Sequence, residues 1–267
     1  MFPSVSGLPF PLYNVPNLDI ARLLYSSVQE EYSGKKTLSF TISGYRDGFT
    51  TTTELSDVAE FLTGATLPIP VGNESWEVVS TSASDTAGGV GARRVRIVYL
   101  DNNWVQKATE INLNGLTPVS VPDVANCRDI QWMHLAIVGG NNVAVGNIDL
   151  RVAEGGTIHE RISAGGNQSL TCQYTIPEGY VGYCWHWSFF PTSHHFHDIQ
   201  LRATCNRDDR ALIEPYVFQD RLSLDSDGDN RPVSLVFLPR TRIKVSSNPS
   251  NTTSTGVGSF NVYLQEI

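Results

Sequence analysis

"ASDTAGGVGARRVRI", residues 83–97, decides how the chain is read, because a glycine run followed by arginines has two meanings. A phosphate-binding loop sets its glycines between a strand and a helix, so that the helix N-terminus faces the anion. Here the run leads into "RRVRIVYLD", residues 93–101, where Arg94, Arg96 and Val98 alternate with Val95, Ile97 and Tyr99. That period of two belongs to a strand with one wet face. Gly88, Gly89 and Gly91 then read as structural turn residues that carry the chain between two strands through positive φ.

The same rhythm runs outward in both directions. "KTLSFTIS", "SWEVVSTS", "ATEINLNG", "DIQWMHLAIVGG", "VAVGNIDLRV", "GTIHERISAGG" and "QSLTCQYTIPEG" are short alternating or β-branched segments bounded by Gly, Asn, Asp or Pro. "YVGYCWHWSFF", "DIQLRATC", "ALIEPYVFQ", "PVSLVFLP", "TRIKVSS" and "GSFNVYLQEI" continue it. About fourteen strands with no crossover helices predict an all-β chain, an antiparallel β-sandwich or jelly roll, and exclude a parallel α/β fold. The body spans residues 36–267, divisible into sub-domains at about 36–152 and 153–267. Residues 1–35 form a Pro-rich extended arm with one short helical candidate over 18–31. Pro3, Pro9, Pro11 and Pro16 hold that arm open. It either straps its own body or docks Phe2, Phe10, Leu12 and Tyr13 on a neighbouring subunit.

Composition narrows the function. The net charge of −8 and a charged fraction of only 17% weigh against nucleic acid or anionic lipid as a partner. No segment approaches the roughly 20 apolar residues of a spanning helix, and the N-terminus lacks the basic and apolar regions of a signal peptide, so synthesis in a cytosol is expected. Cys127, Cys172, Cys184 and Cys205 lack zinc-site spacing and read as buried thiols, with disulfides open to an extracellular working life.

Two clusters have ligand chemistry. "YCWHWSFFPTSHHFHD", residues 183–198, carries His186, His194, His195 and His197 on what reads as a hairpin turning near residues 191–193. A three-residue loop leaves only His186 and His194 on one face, whereas a two-residue loop gathers His186, His195 and His197 as a three-ligand set. The alternative is that His194, His195 and His197 meet solvent or a partner. Tyr183, Trp185, Trp187 and Phe189 alternate onto one core or interface face. "DSDGDN", residues 225–230, places Asp225, Asp227 and Asp229 at calcium-loop spacing. Asn230 stands at the glycine position and Val236 at that of the bidentate glutamate, so a solvated turn competes with an ion site.

No nucleophile elbow is present, and nothing in the sequence makes Glu110, Glu160 or Glu214 converge as a glycosidase pair. No catalytic residue and no cofactor are expected.

The succession "VVSTSASDTAGGVGARRVRIVYLDNNW", "TEINLNGLTPVSV", "VGNIDLRV", "IPEGYVGY" and "LPRTRIKVSS…GSFNVYLQEI" resembles a group of tailed-bacteriophage virion structural proteins, over residues 72–267. Tyr99 stands where the pattern has Gly before Leu-Asp. The resemblance implies a virion component made in the host cytoplasm, homo-oligomeric with a trimer favoured, and partnered by the major capsid protein or tail components. It implies a capsid decoration or cement role. A receptor- or carbohydrate-binding module of the tail or fibre is the alternative, with Trp104, Trp132 and residues 194–197 as contacts.

Overall fold

The computed structural model describes residues 37–49, 51, 54–191, 197–204, 217–224 and 228–267. The arm with Phe2, Phe10, Leu12 and Tyr13, the helical candidate over 18–31, His194, His195, Asp225, Asp227, Cys205 and Glu214 lie outside the described residues. The regular structure described is almost entirely strand, and every ladder is antiparallel.

Four sheets account for the sixteen strands found among the described residues. The first joins β1 (Thr37–Asp47), β16 (Thr255–Glu266), β11 (Tyr180–Pro191) and β14 (Asp229–Phe237), in that order. The second joins β10 (Gln173–Thr175), β15 (Arg242–Pro249), β12 (His197–Ala203) and β13 (Val217–Leu224), with β2 (Ser56–Asp57) also on β15. The third orders β6 (Val119–Ser120), β3 (Trp76–Ser80), β8 (Ile148–Val152) and β9 (Ile158–Ile162). The fourth is β5 (Gln106–Asn112), β4 (Ala92–Leu100) and β7 (Asp129–Val138). Each of the fourteen segments marked by alternation carries a strand. The two further ones, β2 and β6, are two residues long, too short to show a period.

Two large cores follow from this grouping. Trp187, Phe189, Phe260 and Leu264 of the first sheet meet Tyr174, Ile199, Leu201 and Val245 of the second in one buried cluster. Trp76, Val78 and Leu150 of the third sheet meet Val95, Ile97 and Met133 of the fourth in another. The chain does not build them consecutively. β1 contributes Ile42 to the first core and pairs with β16, while β3–β9 build the second before the chain returns at β10. The sheets therefore group the chain differently from a division at 152/153, which would separate β9 from its partner β8. Within the eight strands of the first core, the first pairs with the last, the second with the seventh, the third with the sixth and the fourth with the fifth: β1·β16, β10·β15, β11·β14, β12·β13.

Residues 83–97 turn out to be organised by an acid. Asp85 is fully buried and accepts hydrogen bonds from Ser80 Oγ at 2.6 Å and from the backbone N–H groups of Ala92, Val145 and Gly146 at 2.8–2.9 Å. It ties the end of β3, the start of β4 and the loop before β8 together. None of the three glycines has positive φ, and only Gly91 serves the close approach to Asp85. A Cβ on Gly89 would overlap the Ser84 carbonyl, and one on Gly91 would overlap Asp85 Oδ1, whereas a Cβ on Gly88 meets open space. Gly91→Ala is therefore expected to cost about 2 kcal/mol or more by displacing Asp85. Gly88→Ala is expected to stay within about 0.5 kcal/mol of the parent in urea unfolding. Equal effects of the two substitutions would contradict this account.

Candidate functional site

β15 has the alternation of an amphipathic strand, yet Arg242, Lys244 and Ser246 are buried along with Ile243 and Val245. What covers the polar face is the chain just after β1 together with elements of the second core. Asp57 of β2 accepts from Lys244 Nζ at 2.7 Å, from Ser246 Oγ at 2.7 Å and from the Leu67 N–H at 2.8 Å. Asp129 of β7 pairs with Arg242 at 3.2 Å and accepts from Thr175 Oγ1 at 2.6 Å. Gln131 of β7 bonds the Thr175 backbone with both ends of its amide, and Gln173 donates to the Ile130 carbonyl. Buried charge is tolerated when paired and hydrogen-bonded in this way, so this seam fastens β10 and β15 to β2 and β7.

Burial shapes the protonation of the seam. Glu160 of β9 is wholly enclosed, and burial pushes its carboxyl up to about 8, against the lowering effect of the Thr171 and Ser169 hydroxyls. Burial lowers its neighbour His159 to about 4, with Arg242 adding to the effect. Lys244 is brought down to about 8 by burial, opposed by the Asp57 carboxylate.

In front of the seam, Trp132 of β7 divides two depressions. One, of about 370 Å³, has Val98 and Ala108 as its floor. The register sets both residues in the row of Trp132, so low side chains leave room beside the indole. Arg96 and His134 stand one row away at one end and Gln106 at the other, with Lys107 on the rim. The second depression, of about 200 Å³, lies between Trp132 and β1 and is lined by Phe40, Gln131, Gln168 and Ser169 among others. Trp132 is braced from behind by Tyr174 and Phe40, at centroid distances of 6.2 and 6.1 Å. Arg96 is half exposed and only loosely paired with Glu110, at 3.7 Å, because Glu110 also serves Arg94 at 3.3 Å. Burial and the Arg96 charge both lower the His134 imidazole, with Glu110 opposing.

The other candidate residues fall elsewhere. β11 and β12 belong to different sheets and are not paired as a hairpin, so His186 and His197, which a two-residue loop would set on one face, lie in separate sheets, while His194 and His195 lie outside the described residues. His197 is buried between Phe49 and Phe189, with Nδ1 2.9 Å from Ser247 Oγ, and so does not face solvent. A bulge between residues 183 and 187 of β11 breaks the supposed aromatic face, sending Cys184, Trp187 and Phe189 into the core and leaving Tyr183 and Trp185 outside it. Asp229 is exposed and opens β14 opposite Phe189. Trp104 is buried at a positive φ of 63° with the Arg128 guanidinium over its ring, unlike Trp132. Glu110 and Glu160 do not converge, the first being an exposed ion-pair partner and the second enclosed. Cys127, Cys172 and Cys184 are buried free thiols. No group of three potential metal ligands occurs among the described residues. The buried face of β15 went unseen in the sequence, and its one signal is two cations alternating with Ile243 and Val245 in so weakly charged a chain.

No family model matches the chain, and no curated protein matches it. Among solved structures it shows weak similarity to infectious bursal disease virus of the Gx strain, at TM-score 0.22 and 11% identity over 87% of this chain and 71% of that one. The Gt strain gives 0.21 and 12% over 87% and 72%, and the VP2 subviral particle of the same virus 0.20 and 11% over the same shares. Likenesses this loose assign no relationship.

Two expectations follow from the seam. Asp57→Ala strands the Lys244 charge and should cost about 3–5 kcal/mol, while the double change Asp57→Leu with Lys244→Met should restore most of that loss in equilibrium unfolding. For Glu160, the folded-state value lies above the unfolded one, so the folded protein holds the extra proton between them and stability falls as pH rises through that window. His159 and His134 have the opposite slope below their ordinary value of 6.5, and Lys244 has it above about 8, which leaves pH 6.5–8 as the window where Glu160 dominates. Glu160→Gln should flatten the decline of Tm between pH 6.5 and 8, and an unchanged decline would contradict the assignment.

Proposed function

We propose that the chain is a virion structural protein whose work is assembly and not catalysis. The observation that carries this reading is the nested pairing of β1, β10–β16. First-with-last through fourth-with-fifth pairing in two sheets around one core is the wiring of a jelly roll, a sandwich that recurs in virus shells and also in lectins. In this reading β2–β9 are an insertion between the first two jelly-roll strands, carrying a second sandwich. The resemblance over residues 72–267 favours a tailed phage and decoration of its head, with homotrimers as the assembling unit. The nearest competitor, a tail or fibre receptor-binding module, draws its support from Trp132, which faces an open cleft.

A contact surface is available on β14. It is an outer strand of its sheet, and Val236 near its end and Leu238 just beyond it are exposed at 43% and 59%. Val236 stands opposite Tyr183, extending the apolar row across the sheet. The other half of β14, "DNRP", carries charge and proline, which oppose indiscriminate edge pairing. An exposed apolar strip beside a guarded edge suits a specific subunit contact. The absence of catalysis is part of the proposal, supported by the enclosure of Glu160 and the ion pairing of Glu110.

Size-exclusion chromatography with light scattering on the full chain tests this reading. A closed oligomer that Val236→Asp with Leu238→Asp reduces to monomer, at unchanged Tm, is the expected result. A monomer at every concentration, with no association with particles, would overturn it.

A further inference from the structure

We propose that the cleft beside Trp132 is a binding site for an acidic saccharide, a sugar unit bearing a carboxylate or sulfate. This inference goes beyond the assembly reading and does not depend on it.

Three features of the cleft combine. The first is a rigid platform: the Trp132 ring is held by Tyr174 and Phe40, while Val98 and Ala108 leave space against it. A flat apolar face with an adjacent floor of small side chains accommodates the C–H face of a pyranose, and ordering it in advance lowers the entropic cost of binding. The second is hydrogen-bonding capacity left over by the fold. The Trp132 indole N–H donates to no protein acceptor among the described residues, and Gln106 uses its carbonyl on the Tyr174 hydroxyl, which leaves its amide N–H₂ for a ligand oxygen. The third is charge. Arg96 and Lys107 line the cleft, and the carboxylate nearest Arg96, Glu110, is shared with Arg94, its longer contact being the one to Arg96. In a chain of net charge −8, a local excess of cations beside an aromatic platform selects for an anionic group. The guanidinium fork of Arg96 can grip a carboxylate or sulfate with two parallel bonds. His134 adds a ring donor or acceptor without adding charge at neutral pH, given its lowered basicity.

The pieces match what a small-ligand site requires: a concave surface of about 370 Å³, mostly apolar at its floor, with a few convergent polar groups at its ends. The second depression, across the indole, lets a chain of sugars continue past Trp132 toward Gln168 and Ser169.

Isothermal titration calorimetry with the full chain tests the assignment, using sialyllactose and a hexuronate oligosaccharide as probes and lactose as the neutral control. Either acidic probe is expected to bind, weakening as salt is raised, with lactose at least ~10-fold weaker. Arg96→Glu, an exposed substitution, should abolish the preference for the acidic probe at unchanged Tm. Trp132→Ala should abolish binding, and Trp132→Phe should retain part of it, which separates platform from fold. Absence of binding by both acidic probes at millimolar concentration would overturn the proposal. So would affinity unaffected by Arg96→Glu, or displacement of the probes by a single-stranded oligonucleotide that binds more tightly.

Discussion

The buried cations of β15 are the constraint on which the arrangement of the two cores rests: Arg242 pairs with Asp129 of the second core, and beside it Lys244 pairs with Asp57. Both groups of the latter pair are out of water, and Lys244 belongs to β15, at the centre of the second sheet, while Asp57 belongs to the chain that has just left β1. Desolvating two such charges is costly, and their attraction offsets that cost only with good geometry and further bonds. Here Ser246 and the Leu67 N–H supply the further bonds on Asp57, and Asp129 with Thr175 repeats the arrangement around Arg242. A polar seam of this kind contributes little net stability compared with an apolar one. It does define one relative placement, because any slippage leaves a buried charge without its partner.

That placement creates the cleft. Gln131 points back into the seam and bonds Thr175, while the next residue of β7, Trp132, points the other way onto Tyr174 of β10. One strand thereby has a face locked to the first core's second sheet and a face holding an aromatic ring at the surface. Arg96 and His134 reach the same surface through the register of β4 against β7.

The strands were legible in the sequence because alternation is a local property, and residues 93–101 show it plainly. Val98 reads as wet by that alternation yet is buried, because the pattern does not report that Trp132 stands opposite. The same limit hid the seam: Arg242, Lys244 and Ser246 look like a solvated face, and the return of residues 57–68 over β15 together with Asp129 of β7 makes them interior. A bulge in β11 and the different sheets of β11 and β12 removed the histidine face, since strand periodicity carries no information about which sheet a strand joins. Gly91 reads as a left-handed turn residue in the sequence, because close approach to a buried carboxylate and positive φ leave the same mark. Trp132 could be singled out by residue type. Its difference from Trp104 lies in backbone conformation, as the turn held by Asp101 folds the Trp104 ring under Arg128.

In the proposed reading, nested strand pairing, a second pair of sheets inserted after its first strand, and an apolar outer strand make the chain a building block of a virion. The most direct test of that claim is peptide mass spectrometry on density-purified particles carrying this gene. The account expects the chain in many copies, at a fixed ratio to the major shell protein, and retained through high-salt washing. Abundant chain in the lysate with none in the purified particles would contradict it.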